Sequence, residues 1–166
     1  MIEGRRKPVF RPMLRIRQQL PDEECSRILR SEPRGVLSVL GDDGYPYGMP
    51  MNYWFDPEDG RLYFHGGRKG HKLDALAACN KASFCVYTAG ERREGEWWLR
   101  IKSVIVFGRV ELVTDHDRAM EISRRLSRKY TSDEAYIDDE IRTSGPGTLC
   151  FALVPEQITG KLVNEK

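Results

Sequence analysis

Metal and disulfide signatures are missing from this 166-residue chain. Its four cysteines, Cys25, Cys79, Cys85 and Cys150, include no Cys-x-x-Cys pair, which suits reduced, inert core thiols better than zinc or a disulfide framework. Long apolar runs are missing as well. Val104 to Phe107 is the longest that matters, and no apolar stretch follows the basic start. Neither a membrane span nor an export signal is expected, and the expected location is the cytoplasm. A Walker loop would need Gly-Lys-Ser or Gly-Lys-Thr where Gly70-His71-Lys72 stands, and Gly-x-Gly-x-x-Gly is absent, which disfavours ATP and NAD by their usual motifs. A large excess of one charge sign is missing too. Lys plus Arg number 27 against 25 Asp plus Glu, a net charge of +2, which argues against a nucleic-acid partner.

What is present is enough for one packed domain. Leu, Ile, Val and Phe supply 39 residues, and a chain of this length can bury roughly 70% of its unfolded surface without a staple. Six of the 27 basic residues fall within Met1 to Arg17, so a basic arm leads a slightly acidic remainder. Ile2-Glu3-Gly4-Arg5 spells a protease-cleavage tag. Residues 1–12 are therefore set apart as tag remnant and basic arm, and 13–166 are read as a single domain.

The pattern along the chain is mainly β with α insertions. Pro21, the acids that follow it, and Cys25, Ile28 and Leu29 at helical spacing mark a first helix. Val36 to Leu40 reads as a strand, and Asp43-Gly44 turns it into a second, Tyr45 to Phe55. A third runs from Leu62 to His65, and a short helix follows Gly70. Ser83 to Thr88 is a fourth strand, and Trp97 to Val113 a long strand or bent pair. Residues 103–107 are apolar or small on both faces, so this strand should be covered on both sides, by a barrel interior and by a helix or partner chain. Two helices follow, one from a Thr114-x-x-Asp117 capping box and one from near Asp133. Thr148 to Val154 is the last strand. About six strands in hairpin-like succession favour a small antiparallel barrel.

Chemistry concentrates at His65-Gly66-Gly67-Arg68-Lys69-Gly70-His71-Lys72. A helix N-terminus prefers acids, and the other three helices begin with them, yet here four cations gather. An anion such as a phosphate would satisfy the free backbone donors and the cations together, with Gly66, Gly67 and Gly70 allowing close approach. The plainer alternative is a set of solvated surface charges. A mononucleotide with a flat head, such as FMN, also needs a groove of aromatic and flexible apolar residues, which Met49 to Trp54 could line. Pro46 and Pro50 share a parity, marking that strand as an edge, bulged, or facing a ligand. Met49, Met51 and Tyr53 share the other face, as barrel core or as cofactor wall.

His71 can give or take a proton near neutral pH, and it can equally serve as phosphate ligand or surface residue. His65, at a strand end, is read as a backbone hydrogen-bonder, and His116 as solvent-facing. Asp138-Asp139-Glu140 reads as a solvated helix face.

Four segments, Gly35 to Tyr47, Leu62 to Gly66, Arg68 to Lys72 and Ile158 to Lys161, together make the chain resemble the nitroimidazole-resistance branch of the pyridoxamine 5'-phosphate oxidase-like, FMN-binding split-barrel proteins. The resemblance runs from about Met13 to the C-terminus. It implies a six-stranded antiparallel split β-barrel and a homodimer with FMN at the subunit interface. Lys69, His71 and Lys72, around Gly70, would lie near the FMN phosphate or the site mouth. Pro50, Met51, Asn52 and Tyr53 would border the flavin, with Phe64, His65 and Gly66, and with Ser103 and Val104. Trp97 and Trp98 would reach across from the partner. The implied activity is FMN-dependent reduction of a 5-nitroimidazole to the amine, with His71 as proton donor. The alternative is a pyridoxamine phosphate oxidase-like or other flavin-binding protein without nitroreductase activity. Related barrels handle deazaflavin or haem.

Overall fold

The computed structural model describes residues 10–163. The segment Ile2-Glu3-Gly4-Arg5, expected to be a cleavage tag, lies outside them. Helix α1 (Asp22–Ser31) carries its three acids in the first turn and buries Cys25, Ile28 and Leu29 on one face. Strands β1 (Arg34–Leu40) and β2 (Pro46–Asn52) form a hairpin. Asp43 and Gly44 turn it with φ of 54° and 77°, the left-handed region in which Asp and Gly are at ease. Then come β3 (Trp54–Phe55), β4 (Leu62–Gly67), α2 (His71–Ala78), β5 (Lys81–Tyr87) and β6 (Ile101–Val113). Helices α3 (His116–Arg128) and α4 (Glu134–Ser144) precede β7 (Thr148–Val163).

All seven strands belong to one antiparallel sheet in the order β2-β1-β5-β6-β7-β4-β3. Its two end strands are one stretch of chain, separated only by Tyr53. The sheet therefore curls until the segment 46–55 pairs with β1 at one end and β4 at the other. The expected second strand, Tyr45 to Phe55, is thus broken in two, giving seven strands where six were expected. The break has a tertiary cause: the Tyr53 N–H donates to the Tyr130 hydroxyl at 3.0 Å instead of to a strand neighbour. The Tyr53 ring, fully buried, joins Phe64 and Phe84 inside the barrel.

Three further boundaries differ from expectation. Trp97 and Trp98 precede β6 in a loop, Trp97 mostly exposed and Trp98 buried beneath the Arg100 guanidinium. Asp115, not Thr114, caps α3, accepting the Arg118 N–H at 2.7 Å. The last strand runs on past Pro155 to Val163 because the register against β6 shifts by a residue at Phe107/Gly108, which accommodates the proline in a bulge. Gly108 is required there, since a Cβ would stand 2.2 Å from the Val154 carbonyl oxygen.

The core fills the barrel with Leu37, Phe84, Val104, Val106, Phe151 and Leu153, closed at one end by α1. Helix α3 covers the outside of β4 and β7 through Ala119 and Ile122 against Tyr63, Cys150 and Ala152. The outer face of β6 is barely covered among the described residues. Ile105 and Phe107 are 38% and 40% exposed, with the Phe10 ring stacked on Phe107.

Candidate functional site

The curled sheet does not seal completely. Gly41 N–H donates to the Tyr45 carbonyl at 2.8 Å, which makes the odd-numbered residue pairs of the β1–β2 hairpin the hydrogen-bonded ones. Pro46 and Pro50, opposite Leu40 and Val36, therefore turn their donorless nitrogens away from β1. Along this free side of β2 lies a slot of about 330 Å³, lined by Pro50, Met51 and Asn52 of β2, His65 of β4 and Arg34 of β1.

Hairpin register sets one wall. Arg34 faces Asn52 across the ladder, and its Nε donates to Asn52 Oδ1 at 2.9 Å. Lys72, in the first turn of α2, reaches back over the strand end. Its Nζ lies 4.0 Å from Met51 Sδ and 5.1 Å from the Phe151 ring centroid. Gly66 makes room for it, because a Cβ there would meet Nζ at 2.9 Å. Burial lowers the Lys72 pKa, and Lys72 has no acidic partner among the described residues. His65 is pushed down as well, first by burial and then by the Lys72 charge, which favours the neutral imidazole.

Of the residues expected from sequence, the structure thus gathers Pro50, Met51, Asn52, His65, Gly66 and Lys72. Others lie elsewhere. Tyr53, Phe64 and Val104 are fully buried core side chains and do not line the slot. Met49 and Met51 pack on the core from the edge, joining the two readings offered for that stripe. Ser103 stands opposite Tyr87 and Lys161 in mid-sheet. Lys69 and Gly70 are exposed at the turn before α2, Gly70 with φ of 123°. His71 turns to the hairpin loop. Its ring stacks on Tyr47 at 4.3 Å and Nε2 lies 3.4 Å from Asp42 Oδ2. The first turn of α2 also holds Asp74, so its cations are not alone there.

Two contributors escaped the sequence reading. Arg34 could have been found by counting back from the Asp43-Gly44 turn, which sets Arg34 opposite Asn52. Tyr130 had no local signal: its hydroxyl ties Pro33 and Tyr53 together from 77 residues away in sequence from the latter. The acidic run is the solvated helix face expected, all three acids being exposed on α4. Asp138 pairs with Arg124 at 2.6 Å and Asp139 with Arg142, leaving Glu140 without an ion pair among the described residues. Burial raises the thiols of Cys25, Cys85 and Cys150, as packing residues require.

A curled antiparallel sheet closed by one bent segment, with helices at one corner and a slot along the seam, is the split-barrel architecture. The chain belongs to the pyridoxamine 5'-phosphate oxidase family, whose sequence model matches residues 21–162. No curated protein matches it in sequence. Among solved structures, it is similar to a candidate 5-nitroimidazole antibiotic resistance protein from Bacteroides thetaiotaomicron, at 20% identity and a TM-score of 0.73, covering 87% of this chain and 86% of that one. An FAD-binding protein from Mesorhizobium loti matches at 24% identity and a TM-score of 0.61, over 89% and 98% of the two chains. A protein from Mycobacterium smegmatis that binds FAD and haem matches at 22% identity and a TM-score of 0.70, over 89% and 74%. At these identities the likeness is one of fold. No helix among the described residues is long and apolar enough to cross a membrane.

Proposed function

We propose that the slot between β2 and β4 holds FMN and that the chain is an FMN-dependent oxidoreductase acting on 5-nitroimidazole-type compounds. The observation that carries this reading is Lys72, a partly buried ammonium folded into the space left by Gly66, beside the slot and without an acidic partner among the described residues. A buried cation left unpaired is costly, and a phosphorylated ligand removes that cost. Pro50 and Met51 suit one face of a flat ring, and the Asn52 amide and Arg34 suit its polar edge. The solved structures named above as FAD-binding support a flavin in this fold.

Bound flavin supplies hydride equivalents to the nitro group. The chain's own residues hold and orient. Arg34 fixes the Asn52 amide, Lys72 and Lys69 attract the phosphate, and Gly70 leaves backbone donors open to it. His65 is the imidazole that faces the slot, neutral and able to pass a proton from water. His71, the proton donor that the resemblance implies, serves the phosphate end from its place beside Asp42. A second copy of the chain, seated on the exposed face of Ile105 and Phe107, makes the protein a homodimer.

The test is direct. Heat-released small molecule from the purified chain should have the absorbance and mass of FMN, and the reduced protein should be re-oxidised rapidly by a 5-nitroimidazole without oxygen. FAD in place of FMN corrects the cofactor. Flavin without re-oxidation leaves a flavin-binding protein that is not a nitroreductase, and no flavin ends the reading.

A further inference from the structure

Behind Asn52 and His65 the slot adjoins a second cavity of about 220 Å³, roofed by α3 and α4. Those two residues line both spaces. The second cavity is chemically unlike the first. Its lining includes the hydroxyl-bearing Ser127, Thr131 and Tyr136 and the apolar Leu126 and Ile141, and none of its lining residues is a lysine or arginine. Its only carboxylate is Glu140. Of the three successive acids on α4, Glu140 is the one that no arginine neutralises among the described residues, and the one group there that donates to its carboxylate is the Ser144 hydroxyl at 3.4 Å.

The charges are therefore sorted. Arg34 and Lys72 stand on the slot side of the Asn52–His65 divide, and an uncompensated carboxylate stands on the other. A phosphorylated or carboxylated molecule entering the second cavity would meet Glu140 with no cation to offset it. A neutral ring, or one bearing an ammonium arm, would not.

We infer that this cavity is the substrate chamber of the flavin site, and that it takes small, unphosphorylated ring compounds, neutral or cationic, with Glu140 setting the charge preference. This rests on the reading of the slot as the flavin site. It follows that a phosphorylated pyridoxamine is a poor substrate here, although the family bears its name.

The test uses the full chain carrying its flavin, oxidised and without reductant, so that binding alone is read. Three 5-nitroimidazoles that differ only in a side chain ending in an ammonium, a hydroxyl or a carboxylate are titrated by calorimetry. An exposed carboxylate such as Glu140 should separate the ammonium from the hydroxyl compound by about threefold in Kd, and the hydroxyl from the carboxylate compound by about as much. Glu140→Gln should collapse both gaps while the flavin spectrum stays the same. Equal or tighter binding of the carboxylate compound by the unaltered protein, the same gaps in E140Q, or no binding of any of the three overturns the inference. Failure of the underlying reading shows differently, as a purified chain with no flavin chromophore.

Discussion

The Tyr130 hydroxyl accepts the N–H of Tyr53 at 3.0 Å and donates to the carbonyl of Pro33, tying the end of α3 to the start of β1 and to the break between β2 and β3. One oxygen thus holds the kink from which Asn52 is presented. Tyr130→Phe should leave a backbone donor unpaired and cost about 1–3 kcal/mol, read as a lower denaturant midpoint at unchanged m-value.

The partner tyrosine behaves oppositely. The Tyr53 hydroxyl is buried with no hydrogen-bond partner among the described residues, and burial raises its pKa far above the usual phenol value. Tyr53→Phe removes an unsatisfied group and keeps the ring, so thermal unfolding should show it equal to the wild type or more stable by up to about 1–2 kcal/mol.

Lys129 sets a pH dependence. Its Nζ lies 3.7 Å from the Tyr53 ring centroid, buried without a hydrogen-bond partner among the described residues, and burial lowers its pKa from 10.5 to about 8. Between about pH 8 and 10.5 the unfolded chain holds a proton that the folded chain has lost, so this residue makes stability rise with pH across that window. Below it both states are charged and the folded state carries the cost of the buried ammonium. Lys129→Met should be more stable than wild type at pH 7 by about 1–2 kcal/mol, and the difference should shrink as pH climbs. Urea titrations at pH 7, 9 and 10.5 would check it.

Helix α1 docks through a glycine. A Cβ on Gly160 would stand 2.4 Å from Cys25 Sγ and 2.9 Å from Leu20 Cβ. Gly160→Ala should cost about 1–3 kcal/mol through overpacking. A melting temperature unchanged from wild type would show that α1 sits less tightly on β7 than described.

At the cofactor end, Lys69→Ala with Lys72→Ala should weaken flavin binding by about tenfold or more, as expected for removing charge-assisted contacts to a phosphate. Thermal stability of the flavin-free form should be preserved or improved, because Lys72 loses its burial penalty. Full flavin occupancy in the double variant would remove the cradle from the proposal.

Local pattern carried much of this fold. The acid-led helix at α1, the Asp43-Gly44 hairpin and the helix after Gly70 all follow from residues within a turn or two of one another. The misreadings came where distant groups decide. Tyr53 breaks its strand because Tyr130 lies beneath it, and β7 continues past Pro155 because Gly108 on another strand admits a bulge. The site divides the same way. The proline parity in β2 and the cations near Gly70 were visible, whereas Glu140 gained its place only when α4 folded back over His65.

Pro46 and Pro50 also govern what the seam can accept. A bare strand margin invites another polypeptide to add itself, rung by rung, and ends in fibrils or exchanged segments. With amide hydrogens missing from every fourth position, that margin offers too few rungs to be extended. The barrel can keep a gap open to small molecules without becoming a template for its own kind.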